Sequence, residues 1–184
     1  ERNLTFDEIY DQVALINDQS ERIYNKRLSN IVFMGMGEPL LNYNNVLRAI
    51  DKISAEDGMG MSQRRITVST AGIAKMIKKL GDDKVRFKLA LSLHAANDKK
   101  RNSIMPINES NNIKSLIDAL NYFYRQTNNE VTFEYILFRN FNDAQKDAEE
   151  LMKMDRQVPA DLVNIIEYNP IDGAHAAKPD EETT

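Results

Sequence analysis

The chain has 184 residues, 42% hydrophobic and 28% charged, with 24 Lys and Arg against 28 Asp and Glu for a net charge of −4. That balance describes a globular chain able to bury a sizeable core, without the basic surplus of a free-standing nucleic-acid binder, although a local patch could still serve RNA. Zero cysteines exclude disulfides and thiolate metal sites within these residues, and no apolar run reaches the length of a membrane span.

Thr5 and Asp7 precede an apolar period at Ile9, Val13 and Ile16, which predicts an amphipathic helix with an acidic first turn. A buried strand follows over 28–35. From Asn44 the spacing of Val46, Leu47, Ile50 and Ile53 predicts a second helix, ended by Gly58 and Gly60. A short β-branched strand spans 65–69. Ala71-Gly72 opens a helix through Ile73, Met76, Ile77 and Leu80 that Gly81 should stop. A third strand covers 86–93. Ile113, Leu116, Ile117, Leu120 and Phe123 make a clear helix capped by Asn111 or Asn112. A fourth strand spans 131–138, and Asn142-Asp143 should cap a helix through Ala148, Leu151 and Met152. The last strand, 162–168, closes at Asn169-Pro170.

This is strict αβ alternation with five strands, and crossover-length spacing implies parallel pairing. An open doubly wound sheet and part of a (β/α) barrel both satisfy it. No repeat or linker divides residues 1–184, so a single domain is expected, with 171–184 as a polar tail. The chain starts at Glu1 rather than Met and reads as a piece of a longer protein from which a first strand is missing.

Chemistry-bearing side chains gather at strand carboxyl ends, where parallel α/β folds place ligand sites. Gly37 and Glu38 follow the first strand, Ser69 and Thr70 the second, Ser92 and His94 the third, Asn140 and Asn142 the fourth, and Tyr168 and Asn169 the fifth. In Gly35-Met36-Gly37-Glu38-Pro39, glycines let a ligand approach the backbone, and Pro39 stiffens the turn that carries the Glu38 carboxylate. Each piece also has a plain structural role. Gly-Glu-Pro makes an ordinary turn, Ser69-Thr70 suits a helix cap, and His94 after an apolar strand suits a hydrogen-bonded structural histidine. Glu134, between Phe133 and Tyr135, is an inward carboxylate that needs a partner.

The run Gly35-Met36-Gly37-Glu38-Pro39-Leu40-Leu41-Asn42 resembles the GEP motif of radical S-adenosylmethionine (SAM) enzymes, in the longer form of the branch that methylates carbon-2 of adenine in 23S rRNA and tRNA. Further landmarks keep that family's order: Arg64 to Gly72, Leu91-Ser92-Leu93-His94-Ala95, Met105-Pro106-Ile107-Asn108, Glu134-Tyr135, and Tyr168-Asn169-Pro170. The resemblance implies a partial (β/α)6 radical-SAM, TIM-like barrel whose first strand and cluster loop are missing. It assigns SAM contacts to Gly37, Glu38, Ser69, Ser92, Leu93, His94 and Asn169, and no catalytic or metal-binding residue within these positions. In the full-length parent it implies a [4Fe-4S] cluster on a CxxxCxxC loop, a late cysteine that carries the methyl group, rRNA and tRNA as substrates, and an electron donor such as flavodoxin. It further implies a cytoplasmic enzyme, with this cysteine-free piece inactive alone and prone to dimerise at an exposed sheet edge. Two other readings fit fewer landmarks: another radical-SAM enzyme, such as an activase or maturation enzyme, and a non-catalytic nucleotide-binding barrel.

Overall fold

The computed structural model describes residues 2–170 and 177–178. The expected tail, including His175 and Asp180-Glu181-Glu182, otherwise lies outside the described residues. Helices α1 (Phe6–Tyr24), α2 (Tyr43–Ser54), α3 (Ala74–Asp82), α4 (Asp98–Ile104), α5 (Ile113–Thr127) and α6 (Gln145–Asp155) alternate with strands β1 (Ile31–Phe33), β2 (Ile66–Thr70), β3 (Lys88–Ser92), β4 (Val131–Leu137) and β5 (Leu162–Glu167). The strands lie in one sheet in chain order. This is the parallel α/β class that the alternation implied. The chain divides into two compact units, residues 1–69 with 86–88 and residues 70–85 with 89–184.

In the first unit α1 starts at a capping box, Thr5 Oγ1 accepting from Glu8 N–H while Glu8 accepts from Thr5 N–H. Parallel β1 and β2 pair Ile31 with Ile66 and Phe33 with Val68. The buried side chains of α2 (Val46, Ala49, Ile50, Ile53) and of β2 (Ile66, Val68) form its core, and each of its valines and isoleucines contributes about 1.5–3 kcal/mol. β1 is shorter than the sequence suggested. Leu28 N–H is taken by Asn17 Oδ1 of α1 at 3.0 Å, so the chain is still bonded to a helix where a strand was expected to begin. α2 ends at Ser54, before the expected Gly58, with Ala55 as its C-cap; Gly58 sits in the turn that follows, where a Cβ would come 1.8 Å from Lys52 O.

In the second unit β4 pairs in parallel with both neighbours, Ser92 opposite Glu134 and Glu134 opposite Asn164. One face of this sheet is apolar, with Leu89, Leu91, Val131, Phe133 and Tyr135 all buried. α3 and α5 bring Ile77, Leu80, Leu116, Leu120 and Phe123 into the same unit's core. Gly81 lies inside α3 instead of stopping it. A Cβ there would meet Tyr122 and the Phe123 backbone at 3.2–3.3 Å, so this glycine permits close helix packing. Asn112 caps α5, accepting from Ser115 N–H, while Asn111 accepts from Ala74 N–H at the start of α3. Asn142 does not cap α6, which begins after Ala144.

Candidate functional site: the carboxyl ends of the strands

In the first unit, β1 stops at Phe33 and residues 35–37 form bends. Gly37 has φ +86°, in the region that favours glycine, and nothing lies within 4 Å of the Cβ position of either Gly35 or Gly37. Glu38 is the N-cap of a 3-10 turn over Pro39–Asn42, with Pro39 at its first position. Its Oε1 accepts from Leu40 N–H at 3.0 Å and its carbonyl accepts from Leu41 N–H at 3.0 Å. The expected turn role and the expected carboxylate presentation are therefore one feature: capping fixes the direction of the acid. These residues border an open cleft of about 960 Å³, with Arg2, Leu4 and Val13 among its other walls. Ser69 Oγ donates to Phe33 O at 3.1 Å, which ties the end of β2 to the end of β1 and caps no helix. Thr70 Oγ1, in the second unit, accepts from Gly72 N–H at 3.0 Å.

In the second unit the end of β3 is over-determined. Leu93 N–H and His94 N–H both donate to Glu134 O, at 2.9 and 3.3 Å. His94 has φ +56°, uncommon for a side chain of its size, inside a three-residue turn closed by Ala95 N–H donating to Leu93 O at 2.7 Å. Such a turn persists only where its surroundings hold it. The restraints are visible. His94 O accepts from Asn142 Nδ2 at 2.7 Å, and His94 Nδ1 accepts from Ile136 N–H at 3.1 Å. Because Nδ1 faces a donor it must be unprotonated, which leaves the proton on Nε2. Burial, and secondarily the Arg101 cation, lower the His94 pKa to about 4, so at neutral pH the ring is a neutral Nε2–H donor. The structural role expected for His94 is present, and it fixes a tautomer able to serve a ligand.

Arg101, which the sequence did not single out, is fully buried. Its guanidinium donates to Leu93 O (3.1 Å), Ser92 O (3.1 Å), Ala71 O (2.6 Å) and Asn108 Oδ1 (2.7 Å). Burial lowers its pKa to about 10, which keeps it charged at neutral pH. Asn108 in turn donates to Asp98 Oδ1 (2.9 Å) and Asn102 Oδ1 (2.5 Å). The Met105-Pro106-Ile107-Asn108 landmark thus orients Arg101, and Arg101 clamps the carbonyls on which Ser92, Leu93 and His94 are hung. Sequence spacing could not reveal this, since Arg101 sits among Lys99, Lys100 and Asn102 and reads as surface. Asn169 lies exposed just past β5, beside the buried Tyr168.

The family model described as the Radical SAM superfamily matches residues 2–154. The chain belongs to the radical SAM superfamily. It is 59% identical over 173 residues to a Cytophaga hutchinsonii protein described as a probable dual-specificity RNA methyltransferase RlmN, covering 94% of this chain and 47% of that protein. A Flavobacterium johnsoniae protein of the same description is 50% identical over 182 residues, 99% of this chain and 52% of its own length. The chain thus spans about half the length of the curated relatives it matches. A crystal structure of a radical SAM methyltransferase from Sphaerobacter thermophilus superposes with a TM-score of 0.94 at 40% identity, over 99% of this chain and 53% of that one. A domain of a pyruvate-formate lyase-activating enzyme from Bacteroides vulgatus reaches 0.59 at 16% identity and shares the fold alone.

The superfamily implies SAM and a [4Fe-4S] cluster. Cluster iron is held by thiolates, and these 184 residues contain no cysteine, so the residues present do not fit the cluster. Among the described residues no group of three or more His, Cys, Asp or Glu could hold a metal ion either. Each unit presents groups of the kind SAM needs: in the first, an open glycine backbone beside the Glu38 carboxylate; in the second, the neutral His94 donor.

Proposed function

We propose that this chain is the SAM-binding core segment of an RNA methyltransferase acting on carbon-2 of adenine in 23S rRNA and tRNA. The observation that carries the reading is the 59% identity over 94% of the chain to a protein described as a dual-specificity RNA methyltransferase. In the first unit, Glu38 holds the SAM ammonium, the peptide groups at Gly37 receive its amino-acid end, and Ser69 offers a hydroxyl oxygen. In the second, Ser92, the main chain at Leu93, the His94 Nε2–H and the Asn169 carboxamide hold polar groups of the nucleoside. Bound SAM supplies a sulfonium-activated methyl group and, in radical chemistry, a source of a nucleoside radical. This chain's own residues bind and orient it; the redox centre, the electron donor (such as flavodoxin) and the methyl-carrying cysteine belong to the full-length cytoplasmic protein. The isolated piece is inactive, and an exposed sheet edge gives it a tendency to dimerise.

The test is methylation of 23S rRNA and tRNA by the full-length protein, read by mass spectrometry of the released nucleosides. The expected product is 2-methyladenosine. A protein that cleaves SAM yet leaves both RNAs unmethylated would overturn the substrate assignment while sparing membership of the superfamily.

A further inference from the structure

Opposite the apolar face of the sheet in the second unit, three strands align their polar residues. Ser92 of β3 is in register with Glu134 of β4, and Glu134 with Asn164 of β5. Registered residues on parallel strands point to the same side, so these three form one row across the sheet. Ala90 and Thr132 lie two residues before the row on β3 and β4, and Ile136 and Ile166 two residues after it on β4 and β5.

Glu134 is 8% exposed, and its Oε2 accepts from Asn164 Nδ2 at 2.9 Å. Its Oε1 makes no hydrogen bond among the described residues. It is not sealed off, however. The only fully buried side-chain polar atom without a partner among them is Tyr168 Oη. A carboxylate more than nine-tenths buried, with one oxygen satisfied and the other still reachable, is a costly feature unless a donor arrives from outside. Asn164 is exposed, and its Nδ2 carries a second hydrogen beyond the one given to Glu134. The row therefore presents an acceptor and a donor side by side.

We infer that the Ser92, Glu134, Asn164 row recognises the amino edge of an adenine base. An adenine offers an N6–H donor next to an N1 or N7 acceptor, the complement of Glu134 Oε1 beside Asn164 Nδ2–H. The inference deepens the reading under Proposed function and rests on it. That adenine belongs either to SAM or to the RNA substrate, and both carry the same edge.

The experiment compares binding to the full-length protein of S-adenosylhomocysteine and its 6-hydrogen purine analogue, which lacks the amino group. A second arm compares a short RNA hairpin carrying adenosine with one carrying purine riboside at the same loop position. Wild type should prefer the amino-bearing member by about tenfold or more in one arm, the size expected for a hydrogen bond to a charged group. That arm names the source. Glu134→Met removes the acceptor while keeping volume, a kind of change that buried ionic sites often tolerate; it should bring the ratio to about one. Glu134→Gln, a neutral acceptor, should fall between. Circular dichroism confirms that the variants fold. A missing preference in both arms, or one that Glu134→Met leaves unchanged, overturns the row. If S-adenosylhomocysteine binds while the ratio stays flat in both arms, only the row falls; if it does not bind wild type at all, the SAM-binding reading falls as well.

Discussion

Gly37 and Gly72 occupy similar places, just past the ends of β1 and β2, and both have positive φ, +86° and +101°. Their surroundings differ completely. Around Gly37 a Cβ would meet nothing within 4 Å, and the neighbouring Met36 is 95% exposed. Around Gly72 a Cβ would meet Leu116 at 3.0 Å and Arg101 and Leu91 at 3.2 Å. In the first unit the glycine leaves room for a ligand; in the second it leaves room for the protein's own clamp. The first unit thus presents an open lip, stiffened by the Glu38 cap and Pro39, and the second a fixed corner, where a buried cation holds three carbonyls.

The largest way to break the contrast is to remove the clamp. Arg101→Met leaves the carbonyls of Ala71, Ser92 and Leu93 and the Asn108 side chain without their donor. Each buried acceptor left unsatisfied costs roughly 1–3 kcal/mol, so urea denaturation should show a loss of at least about 3 kcal/mol. A loss under about 1 kcal/mol would mean that the corner stands without its cation. Gly72→Ala comes next, at about 2–3 kcal/mol, combining left-handed backbone strain with overpacking against Leu116 and Arg101.

The corner should also respond to acid. The folded pKa of His94, about 4, lies below its ordinary value, so the unfolded chain binds the extra proton first. Stability from this group is fully present above the unfolded value of about 6.5, and it is lost as the pH falls toward the folded one. The slope it adds is at most about 1.4 kcal/mol per pH unit. Denaturation midpoints between pH 4 and 7 measure it, and His94→Gln should flatten the curve in that window. Gly37→Ala, with strain and no clash, should cost about 1 kcal/mol. A cost equal to that of Gly72→Ala would erase the distinction between lip and corner.

What the sequence revealed follows the same division. Periodic apolar spacing located the five strands and most helices, because burial of one face is what creates that spacing. The open lip was legible as a stiff, unobstructed turn, since glycines, an acid and a proline announce one by their chemistry. Helix α4 was not. Its residue at 0% exposure is Arg101, so Asp98–Ile104 shows no apolar period to read. Asn142 misled for a related reason: an asparagine ahead of a helical pattern looks like a cap. Instead its Nδ2 donates to Ile136 O and His94 O while its Oδ1 accepts from Phe138 N–H. Glu134 was legible as a carboxylate in need of a partner, but Asn164 as that partner depends on the β4–β5 register. Polar side chains spent on holding backbone carbonyls carry no periodic signal.

Affinity for SAM tests the open lip most directly. Titration calorimetry on the full-length protein should show Glu38→Gln weakening SAM by about 1.5–3 kcal/mol, the range for hydrogen bonds to charged groups. The amide can still accept from Leu40 N–H, so the 3-10 turn should keep its shape. Unchanged SAM affinity in a folded Glu38→Gln protein would contradict the assignment of this carboxylate, and of the loop that carries it, to the SAM ammonium.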